Sequence, residues 1–82
     1  MQDRIGMAAG QIWHFLNENG ESTPIKIKAH LGLSNTMLYL ALGWLSREGK
    51  VNIVPFEYTY KIQSNYFHHL VQLFVLYQLS FH

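Results

Sequence analysis

Apolar residues recur at three- and four-residue spacing from the start of the chain: Ile5, Ala8, Ala9, Ile12, Phe15 and Leu16. That period predicts a helix from Asp3 to Asn19 with one face turned to a core. Asp3 puts an anion where the helix dipole favours it, and Asn19-Gly20 supplies the stop. Glu21-Ser22-Thr23 reads as a short extended piece able to add a small third strand to a later hairpin. Thr23-Pro24 opens a second helix, Thr as N-cap and Pro at the first helical position. Ile25, Ile27, Ala29 and Leu31 carry it to Gly32, which closes it with Leu33 as the following apolar partner. Ser34 then caps a third helix, Asn35 to about Glu48. Leu38, Leu42 and Leu45 form one stripe on it, and Met37, Ala41 and Trp44 a second beside the first. Two helices separated only by Gly32, Leu33 and Ser34 must cross steeply.

After Gly49 the period changes to two. Val51 and Ile53, then Phe56, Tyr58, Tyr60 and Ile62, alternate with Asn52, Glu57, Thr59 and Lys61, which predicts a hairpin of two strands. Pro cannot donate to a central ladder, so Val54-Pro55 is expected to hold the turn, with Pro55-Phe56-Glu57 at its tip. The expected core is Ile5, Ala9, Ile12, Leu16, Ile27, Leu31, Leu38, Leu42, Leu45, Val51, Ile53 and Tyr60. From residue 64 to 82 the pattern is apolar around most of a helix, with His68, His69 and Gln72 on one side and Ser64 or Asn65 as cap. This run is shorter than the ~20 residues a membrane span needs and is broken by Gln72 and Gln78. It is expected to pack on its own domain or to be shared between two subunits.

Composition narrows the class. The chain of 82 residues is 49% hydrophobic and 13% charged, against a usual charged share of about 25%. Apolar area is therefore left for the surface or for a partner. The absence of Cys excludes a disulfide framework and a Cys-based zinc site. The start lacks the apolar run of a cleaved signal peptide, which makes a cytoplasmic location the expectation. Net charge is +1, but it is unevenly placed. Residues 1–23 set Arg4 against Asp3, Glu18 and Glu21; residues 24–61 set Lys26, Lys28, Arg47, Lys50 and Lys61 against Glu48 and Glu57. The mild basic excess thus falls on the second and third helices and the hairpin, where phosphate contacts would need it.

Leu31-Gly32-Leu33-Ser34 followed by Ala41-Leu42-Gly43-Trp44-Leu45-Ser46-Arg47-Glu48-Gly49-Lys50-Val51 resembles the winged helix-turn-helix superfamily. It is most similar to a small stand-alone prokaryotic winged-helix domain family of uncharacterised function, which Asp3-Arg4-Ile5-Gly6 and Ile12-Trp13-His14-Phe15-Leu16-Asn17-Glu18-Asn19-Gly20 also fit. The resemblance covers roughly Gln2 to Ile62. It implies the order helix, strand, helix, helix, strand, strand, and a role in DNA binding or, in a large minority of the superfamily, in protein interaction. Lys28 departs from the pattern, since many DNA-reading members have a small residue four before the turn glycine. The fold expected is α+β: a winged helix-turn-helix over residues 1–63, with a three-helix core and a short β-hairpin wing, and an added apolar C-terminal helix over 64–82.

In a DNA-reading arrangement the helix 34–48 enters the major groove with its N-terminal residues and one exposed face. That face holds Asn35, Thr36, Tyr39, Gly43 and Arg47. Asn pairs with adenine, Thr with a base or a thymine methyl, Arg with guanine or phosphate. Ser34 and the free N–H groups at the helix start suit phosphate, and Lys26, Lys28, Lys50 and Lys61 add backbone charge on the helix-turn-helix and the wing 51–62. Each of these residues also has a bland reading as a first-turn or solvated surface residue. The cation count is low for a monomer, so the expected partners are double-stranded DNA bound by a homodimer formed through the C-terminal segment. The alternative is a protein partner and no DNA, which the outward Leu40 and a wing-tip Phe56 would suit. No enzyme motif, paired carboxylate or phosphate loop is present. Adjacent His68 and His69 point about 100° apart on a helix and do not share an ion. No catalytic residue, metal, cofactor or membrane partner is expected, and the role foreseen is transcriptional regulation.

Overall fold

The computed structural model describes residues 1–65. The chain forms α1 (Gln2–Asn19), α2 (Pro24–Leu31), α3 (Asn35–Arg47), β1 (Val51–Phe56) and β2 (Thr59–Ser64). The expected helix beyond Asn65 and the histidines at 68, 69 and 82 lie outside the described residues. Among those described, no helix is long and apolar enough to cross a membrane.

Local chemistry sets the helix ends. The Ser34 hydroxyl accepts from the Met37 N–H at 3.1 Å, so α3 is capped as its sequence predicts. Thr23 has the extended N-cap backbone, but its side chain makes no capping bond; Pro24 already removes one orphan donor, and the cap is geometric. Gly32 takes the left-handed conformation, φ 67°, and the Leu33 N–H reaches back to the Lys28 carbonyl at 3.1 Å. That six-to-one closure needs a residue free of Cβ crowding at position 32.

Ala8, Ala9, Ile12 and Leu16 of α1 meet Ile27 of α2 and Leu38, Ala41, Leu42 and Leu45 of α3 in one core, closed from the sheet side by Val51 and Ile62. Most of the expected core is there. Ile5 and Leu31 are only half-buried, Leu31 packing against the core's edge. Ile53 and Tyr60 are 39% and 45% exposed, a correction to their expected burial. Both lie on the hairpin face that carries Val51 and Ile62, as their registers Ile53↔Ile62 and Pro55↔Tyr60 require. Each lies nearer the hairpin tip than its buried neighbour on the same strand, Val51 or Ile62, and among the described residues nothing buries that part of the inward face.

The turn also falls elsewhere than expected. Phe56 pairs with Thr59, leaving Glu57-Tyr58 as a two-residue turn, with Glu57 at φ 54°. Pro55 lies within β1 opposite Tyr60. Because Phe56 and Thr59 close the turn as a hydrogen-bonded pair, Pro55 falls at the next, non-bonded pair, where its nitrogen faces outward. β1 is the outer edge of the sheet, so proline costs no ladder bond there. On the other edge the expected third strand contracts to one bridge: Ser22 N–H to the Ile62 carbonyl at 3.0 Å and Ile62 N–H to the Ser22 carbonyl at 2.7 Å. β2 carries the chain through Ser64, and Asn65 is tied to the end of α3. Its N–H donates to the Lys50 carbonyl at 2.8 Å and its side-chain amide to the Gly49 carbonyl at 2.7 Å, while its Oδ1 accepts from Asn52 at 2.7 Å.

Candidate nucleic-acid interface

The residues expected to face a ligand fall into three places. At the first, Lys28 on α2 and Asn35 at the start of α3 meet across the turn: Lys28 Nζ donates to Asn35 Oδ1 at 2.9 Å. Tyr39, one turn further along α3, is 55% exposed. Lys28, Asn35 and Tyr39 line a depression of about 170 Å³ with Pro24, Ile25, Leu38 and Thr59. Thr59 of the wing thus borders the same depression as the N-terminal half of α3. Ser34 and Thr36 are exposed beside this depression, and the first N–H groups of α3 are without intrahelical partners.

At the second place Gly43 and Arg47, expected on the same reading face, line a different feature. They border a groove of about 540 Å³ with Ile5 of α1 and Leu40, Trp44 and Glu48 of α3. The floor of the groove is apolar, and charge stands only at the Arg47 and Glu48 end. Lys50 lies at this end too, its ammonium 3.3 Å from Glu48 and 5.8 Å from the Trp13 ring centre.

The third place is centred on Glu21. Lys61 Nζ is 3.4 Å from the Glu21 carboxylate and 4.0 Å from the Phe56 ring centre, and Gln63 donates to the same carboxylate at 2.9 Å. The Gln63 hydrogen bond, then the charge and hydrogen bond of Lys61, hold Glu21 below the usual carboxylate range. Lys26 lines a depression with Glu21, Ser22, Phe15, Asn19, Ala29 and His30. Lys61 on the wing is thus engaged by Glu21, while Lys26 on α2 borders a depression that Glu21 also lines.

Four side chains at these places were not among the expected site residues. Ile25 lies three residues before Lys28 and so on the same side of α2, which the spacing alone could have shown. Thr59 depended on the turn position, which the proline obscured. Tyr58 is fully exposed at the wing tip, and Asn65, read in the sequence only as a candidate helix cap, bonds Gly49, Lys50 and Asn52.

A family model described as a winged helix-turn-helix domain, DUF2582, matches residues 1–63. The chain is 37% identical over 57 residues to uncharacterized protein MJ1608 of Methanocaldococcus jannaschii, covering 66% of this chain and 80% of that protein. The solution NMR structure of protein BT2368 from Bacteroides thetaiotaomicron superposes with a TM-score of 0.70 at 33% identity, over 77% of each chain. The Zalpha domain of Carassius auratus PKZ, crystallised in complex with Z-DNA, superposes with a TM-score of 0.66 at 23% identity. The match covers 73% of this chain and 95% of that domain and shows a shared fold.

Proposed function

The chain belongs to the DUF2582 family of winged helix-turn-helix domains, and from that premise we propose that it is a non-enzymatic module that binds double-stranded DNA. The winged helix is a fold that commonly binds DNA. The observation that carries the reading is the Lys28–Asn35 pair at the N-terminus of α3, with Tyr39 one turn on and the wing alongside. A cation, an amide and a phenol line the depression beside the Asn35 and Thr36 N–H groups of the helix start, the Met37 N–H being taken by Ser34, a combination suited to phosphate.

The pair also changes how Asn35 would read DNA. With Oδ1 accepting from Lys28, one acceptor lone pair of the amide is taken, and one lone pair and the Nδ2 donors remain. The donors suit a phosphate oxygen or the O6 and N7 acceptors of guanine. The donor–acceptor edge of adenine would have to share Oδ1 with Lys28. Ser34 and Thr36 add contacts on the same side. Arg47 and Lys50 stand at the far end of α3 and Lys26 and Lys61 beside Glu21, where they would meet only the outer phosphates, and Gly43 would let the backbone approach. Affinity that comes from phosphate neutralisation is accordingly modest for one copy. A homodimer would double the contacts and fix two half-sites. Such a module would serve transcriptional regulation in the cytoplasm.

The test is an anisotropy titration of labelled duplexes at low salt, repeated as salt rises. It uses a random right-handed duplex and an alternating sequence held in the left-handed form, because one structure of this fold is a Z-DNA complex. Binding that weakens steeply with salt, with a slope smaller by about 1 in Lys28→Ala, is the expected result. No binding to either duplex at low salt overturns the reading. That outcome favours the alternative, a protein-interaction winged helix, for which the exposed Leu40 and Trp44 speak.

A further inference from the structure

We propose that the groove between α1 and the outer side of α3 is the seat of the chain's own C-terminal segment, residues 66–82, packed in cis. The groove is lined by Ile5, Leu40, Gly43, Trp44, Arg47 and Glu48. Leu40 and Trp44 are 42% and 38% exposed in it, an unusual use of a tryptophan in a domain this small. Its occupant is identified by where the described chain ends. Asn65 is pinned by three hydrogen bonds to Gly49, Lys50 and Asn52, directly after the Arg47-Glu48 end of the groove. The described chain therefore ends beside the turn that follows α3, which adjoins the Arg47-Glu48 end of the groove in sequence.

The chemistry and the length of the segment agree with that seat. Residues 66–82 contain no Asp, Glu, Lys or Arg and are rich in Leu, Val, Phe and Tyr, which suits an apolar floor with charge only at its rim. From Leu40 to Glu48 the groove follows about 12 Å of α3, and residues 66–82 reach about 25 Å even when coiled as a helix. A second copy's segment has the same composition, but it must cross from another molecule to a site that the chain's own segment adjoins. Linkage this short raises the effective concentration of the cis partner into the millimolar range. The family match ends at residue 63, so the groove lies within the family domain while its proposed cover lies beyond the matched residues. The proposal does not rest on the Lys28–Asn35 side of α3, and a segment seated in the groove would cover Gly43 and leave it no DNA contact. Because the segment is apolar on most sides, seating one side leaves another for the expected dimer.

The absence of native cysteine makes a clean test possible in the full chain. Gly43→Cys adds a side chain where no heavy atom lies within 4 Å. It is paired, one at a time, with cysteines at Leu70, Val71, Leu73, Phe74, Leu76 and Tyr77, and oxidised at low protein concentration. Ala29→Cys, exposed on α2 away from the groove, is paired with the same positions as a control. The expected result is an intramolecular disulfide for a helical or alternating subset of the Gly43→Cys pairs and for none of the control pairs. Disulfides only between copies, equal crosslinking of both series, or none in either series overturns the proposal. A second readout needs no tail substitution: the thiol of Gly43→Cys alone should be modified about tenfold more slowly than that of Ala29→Cys, as for a cover open about a tenth of the time. Equal rates exclude a covered groove.

Discussion

The two flanks of α3 are built from one amphipathic helix and do different things. The flank towards α2 and the wing carries Asn35 and Tyr39, meets Lys28 and Thr59, and is polar and hydrogen-bonded. The flank towards α1 carries Leu40 and Trp44, meets Ile5, and is apolar and open. Gly43 and Arg47 belong to the rim of the second. A helix that would read DNA along its whole exposed side has polar residues at every turn of it; this one has them at its two ends, with Leu40, Gly43 and Trp44 exposed between. The difference shows that the exposed side of a helix is not one functional surface. What each flank can bind is decided by the element that walls it, and the walls here are the wing on one side and α1 on the other.

The change expected to abolish the comparison is Leu42→Ala. Leu42 is buried in the single core that α3 shares with α1, α2 and the sheet, and its truncation should cost about 2–5 kcal/mol of unfolding free energy. In a domain this small that is a large share of total stability. Urea unfolding should show the midpoint fall with little change in slope. A loss below about 1 kcal/mol would mean that the helices repack around the site.

Next in size is the contrast between Lys28→Ala and Arg47→Ala. If the polar flank is the DNA side, Lys28→Ala should weaken duplex binding roughly tenfold at low salt, and Arg47→Ala by clearly less. Equal losses would restore a single reading face along all of α3. A larger loss for Arg47→Ala would move the interface to the α1 flank and remove the polar depression from the argument.

How much of this was legible beforehand differs between the local and the tertiary. The Ser34 cap and the Gly32 stop depend on a few neighbouring residues, and both occur where the sequence puts them. The hairpin face was legible in part: Val51, Ile53, Tyr60 and Ile62 share a side, but Phe56, which the alternation put with them, pairs with Thr59 and lies on the other side with Lys61, and Tyr58 falls in the turn. The depth of the face was not legible, because period two says which way a side chain points and nothing about where the helices beneath it end. Pro55 misled for a related reason. The rule against proline in a ladder applies to paired nitrogens, and only the register shows that this one faces outward. The candidate residues at the start of α3 were recognisable as exposed helix positions. That Lys28 would occupy the Asn35 carbonyl oxygen, and that Arg47 would border an apolar groove, are consequences of which elements pack beside α3.

A smaller effect sharpens the distinction between a cap that is bonded and one that is only shaped. Ser34→Ala removes the bond to the Met37 N–H and should cost about 1 kcal/mol, a fall in melting temperature of roughly 4–8 °C for a domain of this size. Thr23→Ala removes no capping bond and should move the melting temperature by much less. Comparable shifts would mean that the Thr23 hydroxyl does cap α2 in solution.

The smallest expected effect concerns what holds the wing beside the polar flank. Glu21 joins the Ser22 bridge segment to β2 through Gln63 and Lys61, and these partners depress its pKa in the folded state. A depressed carboxylate contributes stability that is fully present above its unfolded value, and the contribution fades as pH falls through the folded one. The carboxylate is about half exposed to solvent, so screening keeps that contribution small. Thermal unfolding from neutral to acid pH should therefore show the parent chain slightly more stable than Glu21→Gln at neutral pH, with the curves converging as the carboxylate protonates. The difference should also shrink in high salt, because part of it is the Lys61 charge. Parallel curves at every pH would assign the stabilisation to the shape of the contact rather than to the ionised carboxylate. The wing would then be held to the helices by the Ser22–Ile62 backbone bridge and the Asn65 clasp, without a charge-dependent tie.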